Sequence, residues 1–205
     1  MTKISERGMI FNAEMVRALL DGRKTQTRRP IKWKQTRFTE IGEREDGSKW
    51  PWSEDAEHAC DFWHPCPFGA VGDRIWVREA FRVHSRATDV ATLVYKASER
   101  NSWTEQTRRV PVAVCNKPAT PEKWTPSLHM PRWASRILLE ITGVRVERLR
   151  SMSQDDARAE GVIAASGPME AGLAFRELWD SIYGEESWKA NPWVWVIEFK
   201  RVEGG

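Results

Sequence analysis

Apolar residues recur at every second position in several parts of the chain, which is typical of half-buried strands. The clearest case lies near the C-terminal end, where four large apolar residues alternate: Trp193, Trp195, Ile197 and Phe199. In the longest of these parts, Gly143 stands where a bulge or bend is expected. The alternation predicts strands at 8–11, 75–81, 92–96, 110–114, 136–149 and 193–199.

Helical spacing of apolar residues predicts helices at 12–21, 153–160 and 169–183. Asn12 is the expected N-cap of the first helix, and Gly22 is expected to end it in a left-handed conformation. The second helix begins with an S-x-x-D capping box at Ser153. The apolar stripe of the third consists of Phe175, Leu178, Trp179 and Ile182.

Two segments, 30–72 and 116–131, lack a clear period and are predicted to be irregular. The first is polar and dotted with tryptophans, and the second contains four prolines. Strands in a run with a few interspersed helices indicate an α+β fold, a small mixed β-barrel of about five or six strands with flanking helices.

Composition allows one substantial core, because 40% of the 205 residues are hydrophobic. A net charge of +3 does not by itself indicate a nucleic-acid partner. Three cysteines argue against a disulfide scaffold. Without a long apolar run or a signal-peptide pattern, no membrane association is predicted and a cytoplasmic location is expected.

A basic loop follows the first helix, with the sequence Gly-Arg-Lys-Thr-Gln-Thr-Arg-Arg at 22–29. It places cations and hydrogen-bond donors next to a rigid element, which suits an anionic or polar heterocyclic ligand. The alternative is that Arg23 and Lys24 are solvated surface cations.

The spacing G-x-K-x-x-x-x-R, formed by Gly22, Lys24 and Arg29, resembles the signature of the ASCH domain, a branch of the PUA-like β-barrels. Residues 73–79 and 195–199 resemble the central and closing strands of that family. The resemblance implies a single domain over 1–205, with insertions near 31–70 and 98–131. The long form resembles ASCH proteins of tailed phages and prophages that are often labelled morphogenetic.

Small bacterial ASCH proteins include amidohydrolases that remove the acetyl group from 4-acetylcytidine. Carried over by position, this resemblance implies catalytic roles for Lys24, Thr27 and Glu160, with Asp155 and Asp156 as competitors for the acidic role. A threonine hydroxyl needs an adjacent base to act as a nucleophile, and a lysine with a lowered pKa would supply one. A glutamate would hold the lysine or pass a proton to the leaving amine. As an exposed loop residue, Lys24 is expected to contribute little to stability.

A planar base would be bound by guanidinium groups at its edge and by an indole on its face. The predicted binding residues are Arg23, Arg29, Arg78, Glu79, Arg132 and Trp133. For Arg78 and Glu79 the alternative is a structural ion pair, and for Trp133 it is simple packing on the barrel rim.

Four potential zinc ligands lie within nine residues: His58, Cys60, His64 and Cys66. Their H-x-C spacing departs from the usual structural zinc site, even if Cys115 or His129 added a ligand. No metal and no cofactor is therefore predicted. The alternative is a zinc site formed by these four residues.

Taken together, the sequence predicts a protein that recognises a modified pyrimidine nucleoside and has possible amidohydrolase chemistry. The alternatives are a non-catalytic RNA or modified-base binding module, a ribonuclease, and a phage assembly factor. A catalytic role requires Lys24, Thr27 and a glutamate to converge, whereas an assembly role would show an exposed apolar patch.

Overall fold

The computed structural model describes residues 4–32, 40–55, 57, 60–163 and 170–202. By packing they form two units. The first unit comprises residues 4–22, 74–140 and 201–202, and the second comprises the described residues of 23–73 and 141–200. That both belong to a single domain over 1–205 stays a prediction.

The described residues contain strands and helices in mixed order. The strands are β1 (Glu6–Ile10), β2 (Gln26–Pro30), β3 (Glu40–Glu43), β4 (Lys49–Asp55), β5 (Cys60–Trp63), β6 (Arg74–Arg78), β7 (Phe81–Arg86), β8 (Val90–Tyr95), β9 (Thr107–Pro111), β10 (Leu138–Arg148) and β11 (Trp193–Val202). The helices are α1 (Ala13–Leu20), α2 (Trp103–Gln106), α3 (Gln154–Ala159), α4 (Glu170–Tyr183) and α5 (Glu185–Ala190). The predicted α+β class is confirmed, and closure of a barrel stays a prediction.

In the first unit, β6 lies between β1, which is parallel to it, and the start of β10, which is antiparallel. A second, antiparallel sheet has the order β7-β8-β9. One face of that sheet is buried in a cluster that includes Phe81, Leu93, Tyr95 and Met130. Helix α1 begins as predicted, because the Asn12 side chain accepts a hydrogen bond from the Met15 amide at 2.8 Å. Gly22 has the expected positive φ of 74°.

In the second unit, the rest of β10 is followed in the sheet by β11 and then by β2. Strands β2 and β11 are antiparallel, with Thr27 opposite Ile197 and Arg28 opposite Val196. Helices α3 and α4 cover one face of this sheet, where Phe175 and Trp179 belong to the same buried cluster as Val196. This packing holds the C-terminal end of α3 against β2, where the candidate site lies.

Segment 30–72, predicted to be irregular, contains the antiparallel sheet β3-β4-β5 instead. The alternation is hard to see because Pro51 separates two tryptophans and Gly42 lies opposite one of them. The tryptophans supply most of the packing, and the Trp50 ring meets the Trp195 ring edge-on at 5.0 Å. The described residues therefore hold eleven strands rather than five or six.

Other differences are local. The strand predicted at 75–81 is two strands, β6 and β7, and the second half of the predicted basic loop is the strand β2. The helices α2 and α5 have no predicted counterpart. The capping box at Ser153 and Asp156 is present. On the predicted apolar stripe of α4, Phe175 and Trp179 are buried, whereas Ile182 is 42% exposed. No helix among the described residues is long and apolar enough to cross a membrane.

Candidate functional site

The basic loop lies along the C-terminal end of α3. The Thr25 amide donates to the carbonyl of residue 159 at 2.8 Å, the Lys24 amine to that of residue 160 at 2.8 Å, and the Arg23 guanidinium to that of residue 161 at 2.6 Å. The last carbonyls of a helix have no partner within it and carry partial negative charge. The donors of the basic loop therefore satisfy the free carbonyls at the end of α3, which explains why the loop lies against this end.

A buried ion cluster forms around Glu160. One carboxylate oxygen is 2.9 Å from the Lys24 amine and the other is 3.0 Å from the Arg28 guanidinium. Arg28 also reaches Glu147, at 2.6 Å. The Lys24 and Arg28 side chains are wholly inaccessible to solvent. The expectation that Lys24 is an exposed loop cation is therefore wrong, because the end of α3 covers it.

Burial lowers the pKa of the Lys24 amine, and the contact with Glu160 offsets only part of this effect. The nearby guanidinium groups of Arg28 and Arg29 lower the pKa further. A lysine in such surroundings gives up its proton more readily than one in water. This is the electrostatic condition that a base at Lys24 requires.

The cluster continues outward through Asp156. Its carboxylate is 2.8 Å from Arg145 and 3.1 Å from the amide nitrogen of Gln26. Arg145 also pairs with Glu198. Partial burial acts to raise the pKa of Asp156, but hydrogen bonds from the Ser153 amide and hydroxyl and from Gln26 hold it well below its usual range.

A cavity of about 350 Å³ opens beside these residues. Most of its lining is polar, with three carboxylates and three hydroxyl groups among the lining side chains: Asp155, Asp156, Glu198, Thr25, Thr142 and Ser153. Lys24 and Glu160 do not line this cavity, and Gln26, which does, binds Asp156. The cavity is thus rich in acceptors and suits a ligand that donates hydrogen bonds.

Of the three predicted catalytic residues, the structure brings Lys24 and Glu160 together. Thr27 is buried on β2 between Gln26 and Arg28, which both reach the acidic residues of α3 and its end. Side chains alternate along a strand, so Thr27 is turned to the opposite face, together with Thr25. Of these two hydroxyls, Thr25 lines the described cavity. The catalytic role of Thr27 stays a prediction.

The predicted binding residues are divided between the two units. Arg23 and Arg29 lie in the second unit, whereas Arg78, Glu79 and the pair at 132–133 lie in the first. Arg132 is 3.0 Å from Glu6, and the Trp133 ring packs edge-on against Phe81 in the core. Arg78 donates to the Leu128 carbonyl.

Glu79 is buried in a bidentate ion pair with Arg136, at 2.8 and 3.0 Å. Burial raises the pKa of the Glu79 carboxyl, against the effect of Arg136. The Arg136 guanidinium also lies 4.1 Å from the centre of the Tyr95 ring. This arrangement is a structural ion pair that satisfies both charges, the alternative stated for Glu79 above.

The cysteine and histidine loop is only partly described. His58 lies outside the described residues, Cys60 is exposed on β5 and Cys66 is buried. The His64 ring is 2.9 Å from the Ser53 hydroxyl. Among the described residues, no group of three or more His, Cys, Asp and Glu side chains is placed to hold a metal ion.

Four charged members of the cluster have no counterpart among the predicted site residues: Arg28, Arg145, Glu147 and Glu198. No alternation in the sequence singles out Arg28, because residues 23–29 are all polar. Arg145 and Glu147 do alternate with valines, as in a strand, but only the folded sheet brings them to β2.

Comparison with solved structures finds an ASCH domain from Lactobacillus crispatus JV V101. It is 14% identical to this chain, the match covers 96% of this chain and 79% of that one, and the TM-score is 0.41. No family model and no curated protein matches the chain.

Proposed function

We propose that the second unit binds a modified pyrimidine nucleoside and hydrolyses its exocyclic amide, as in 4-acetylcytidine. The observation that carries the proposal is the buried Lys24–Glu160 pair, 2.9 Å apart, beside a polar cavity. An amine whose pKa is lowered by burial is suited to remove a proton from an attacking hydroxyl group.

The lining of the cavity favours a nucleoside over a nucleotide. Its carboxylates accept hydrogen bonds from ribose hydroxyls, but they repel a phosphate group. The volume of about 350 Å³ is within the range of small-molecule sites. The preferred ligand is therefore uncharged and rich in hydrogen-bond donors.

Hydrolysis breaks the bond between the acyl carbon and the exocyclic nitrogen. The hydroxyl of Thr25, which lines the cavity, adds to the acyl carbon while Lys24 accepts its proton; Thr27, which the family resemblance implies, is buried outside the cavity lining and is the second candidate. The leaving nitrogen takes that proton, and water then releases the acyl group from the threonine ester. Because Lys24 does not line the cavity in the free protein, this scheme requires its pair with Glu160 to open toward the bound ligand.

Incubation with 4-acetylcytidine, followed by chromatography for cytidine and acetate, tests the activity. Lys24→Met should abolish turnover while Lys189→Met, at an exposed lysine on α5, should retain it. Thr25→Val and Thr27→Val identify the nucleophile, because only one of them should remove turnover altogether. Full turnover in a folded Lys24→Met protein would contradict the catalytic role of Lys24.

Isothermal titration with cytidine, 4-acetylcytidine and its 5′-phosphate tests binding separately. Both nucleosides should bind, and a 5′-phosphate on 4-acetylcytidine should weaken the affinity. Glu198→Gln should reduce this loss, because it removes one of the three carboxylates that line the cavity. Binding without hydrolysis would support nucleoside binding and contradict the proposed amidohydrolase activity.

A further inference from the structure

Positive charge is concentrated in one part of the chain. Residues 74–140 contain twelve Lys and Arg against six Asp and Glu, whereas the rest of the chain contains twenty against twenty-three. The net charge of +3 thus conceals a segment of +6. All the residues of this segment belong to the first unit. A concentration of this kind points to an anionic partner for that unit.

The sheet β7-β8-β9 carries part of this charge on the face turned away from the buried cluster that contains Phe81. Val83 and Leu93 belong to that cluster, so their neighbours along the strands lie on the other face, which is partly covered, since Val94 is 1% exposed. Arg109 on β9 lies directly opposite Thr92 on β8, and Arg82 on β7 lies one row further along the same face. Two guanidinium groups therefore share one face of the sheet.

Two tryptophans lie beside these cations. The Arg82 guanidinium is 4.4 Å from the centre of the Trp124 ring. The His84 ring, at an irregularity of strand register, is 5.1 Å from the Trp103 ring. Trp103 is 51% exposed although it is a large apolar side chain. We refer to Arg82, His84, Trp103, Arg109 and Trp124 as the basic indole face.

The cations of the basic indole face decide the kind of partner. The indoles alone would be consistent with a protein partner, but two guanidinium groups on the same face, in a segment with a net charge of +6, favour an anionic one.

We propose that the basic indole face binds single-stranded nucleic acid. Arg82 and Arg109 bind phosphates, while the exposed indole of Trp103 stacks on a base. Stacking needs bases that are free of a duplex, so double-stranded nucleic acid is not the ligand. This proposal does not depend on the nucleoside cavity, since the residues that carry it belong to a different unit.

Fluorescence anisotropy with a labelled mixed-sequence RNA of about twelve nucleotides tests the proposal with the full-length chain. Arg109→Gln should weaken binding several-fold and reduce the slope of log affinity against log salt by about 0.7, the value for one phosphate contact on a single strand. Trp103→Ala should weaken binding roughly tenfold, and Trp103→Phe should restore most of it. Arg109 and Trp103 are exposed, so both variants should fold.

Arg150→Gln is the matched control, because it removes one exposed positive charge from the second unit. The proposal is supported if Arg150→Gln binds like the unmodified protein while the two face variants are weakened. It is overturned if all three variants bind equally, if a duplex of the same sequence binds more tightly, or if no RNA binds at low salt. Single-stranded DNA in place of RNA distinguishes a contact to the 2′-hydroxyl from backbone recognition alone.

Discussion

At the scale of single residues, the decisive feature is the burial of charge. Lys24, Arg28 and Glu160 are all at most 3% exposed, so each depends on the others for its solvation. The sequence identifies Lys24 and Glu160 through a family resemblance, but it does not show that they are buried. Charged side chains are usually exposed to solvent. These three are buried because the end of α3 packs over them.

Removal of Lys24 should therefore destabilise the protein. Breaking a buried ion pair costs about 3–5 kcal/mol, and the second partner of Glu160, Arg28, reduces this to roughly 2 kcal/mol for Lys24→Ala. Lys24→Met should cost less, because it fills the space. Urea denaturation measures the free energy of unfolding, with the exposed Lys189→Ala as the control. Equal stability of the two alanine variants would contradict burial of Lys24.

Asp156 should give stability a dependence on acidic pH. Its pKa is depressed in the folded protein, so its contribution is complete above the unfolded value of 3.8 and is lost as the pH falls from there through the folded value. Asp156→Asn should therefore be less stable than the unmodified protein near neutral pH, and the difference should shrink below about pH 4. Asp155→Asn, at an exposed neighbour, is the control and should show a smaller difference at neutral pH. A constant difference for Asp156→Asn would show that charge is not the cause.

At the scale of elements, a strand can be predicted from the sequence when large apolar residues alternate with other residues along it. Strand β11 was predictable because large apolar residues alternate along it, whereas β3, β4 and β5 rely on tryptophans interrupted by Pro51 and Gly42. Helix α3 and its capping box were predictable because the signal is local. The pairing of Arg28 with Glu147 was not, since Glu147 lies 119 residues away in the chain.

Two capping boxes among the described residues, at Ser102 and Ser153, allow the contribution of a cap to stability to be compared in two settings. Ser153→Ala should cost about 1–2 kcal/mol, because it releases both the start of α3 and the Asp156 carboxylate that Arg145 and Gln26 contact. Ser102→Ala removes the same motif from the short, exposed helix α2 and should cost less than about 1 kcal/mol. Thermal melts of both variants make the comparison. A larger loss for Ser102→Ala would mean that Asp156 is held by other contacts.

At the scale of the whole molecule, the two units differ in charge and in the chemistry they present. The first carries the basic segment and the basic indole face, and the second carries the buried ion cluster and an acidic cavity. Net charge alone conceals this difference, because the −3 of the rest of the chain offsets half of the +6 of residues 74–140. We expect the ligand affinities of the two units to depend differently on salt concentration.

Between about 50 and 200 mM salt, RNA affinity should fall steeply, because each phosphate contact releases counterions. Affinity for an uncharged nucleoside should change less than twofold, since no counterions are displaced. Anisotropy for RNA and calorimetry for the nucleoside, carried out on one preparation, measure both. Equal salt dependence for the two ligands would contradict the assignment of separate chemistries to the units.

The contact of Lys24 with Glu160 joins positions 136 residues apart. A ribosome adds about 5–20 residues per second, so the lysine emerges on the order of ten seconds before its partner exists. Throughout that interval its amine is fully hydrated and its acidity is that of an ordinary lysine. The lowered pKa of Lys24, on which the proposed chemistry depends, therefore arises only late in biosynthesis. A nascent chain released before residue 160 would contain the complete basic loop, but its lysine would have an ordinary pKa.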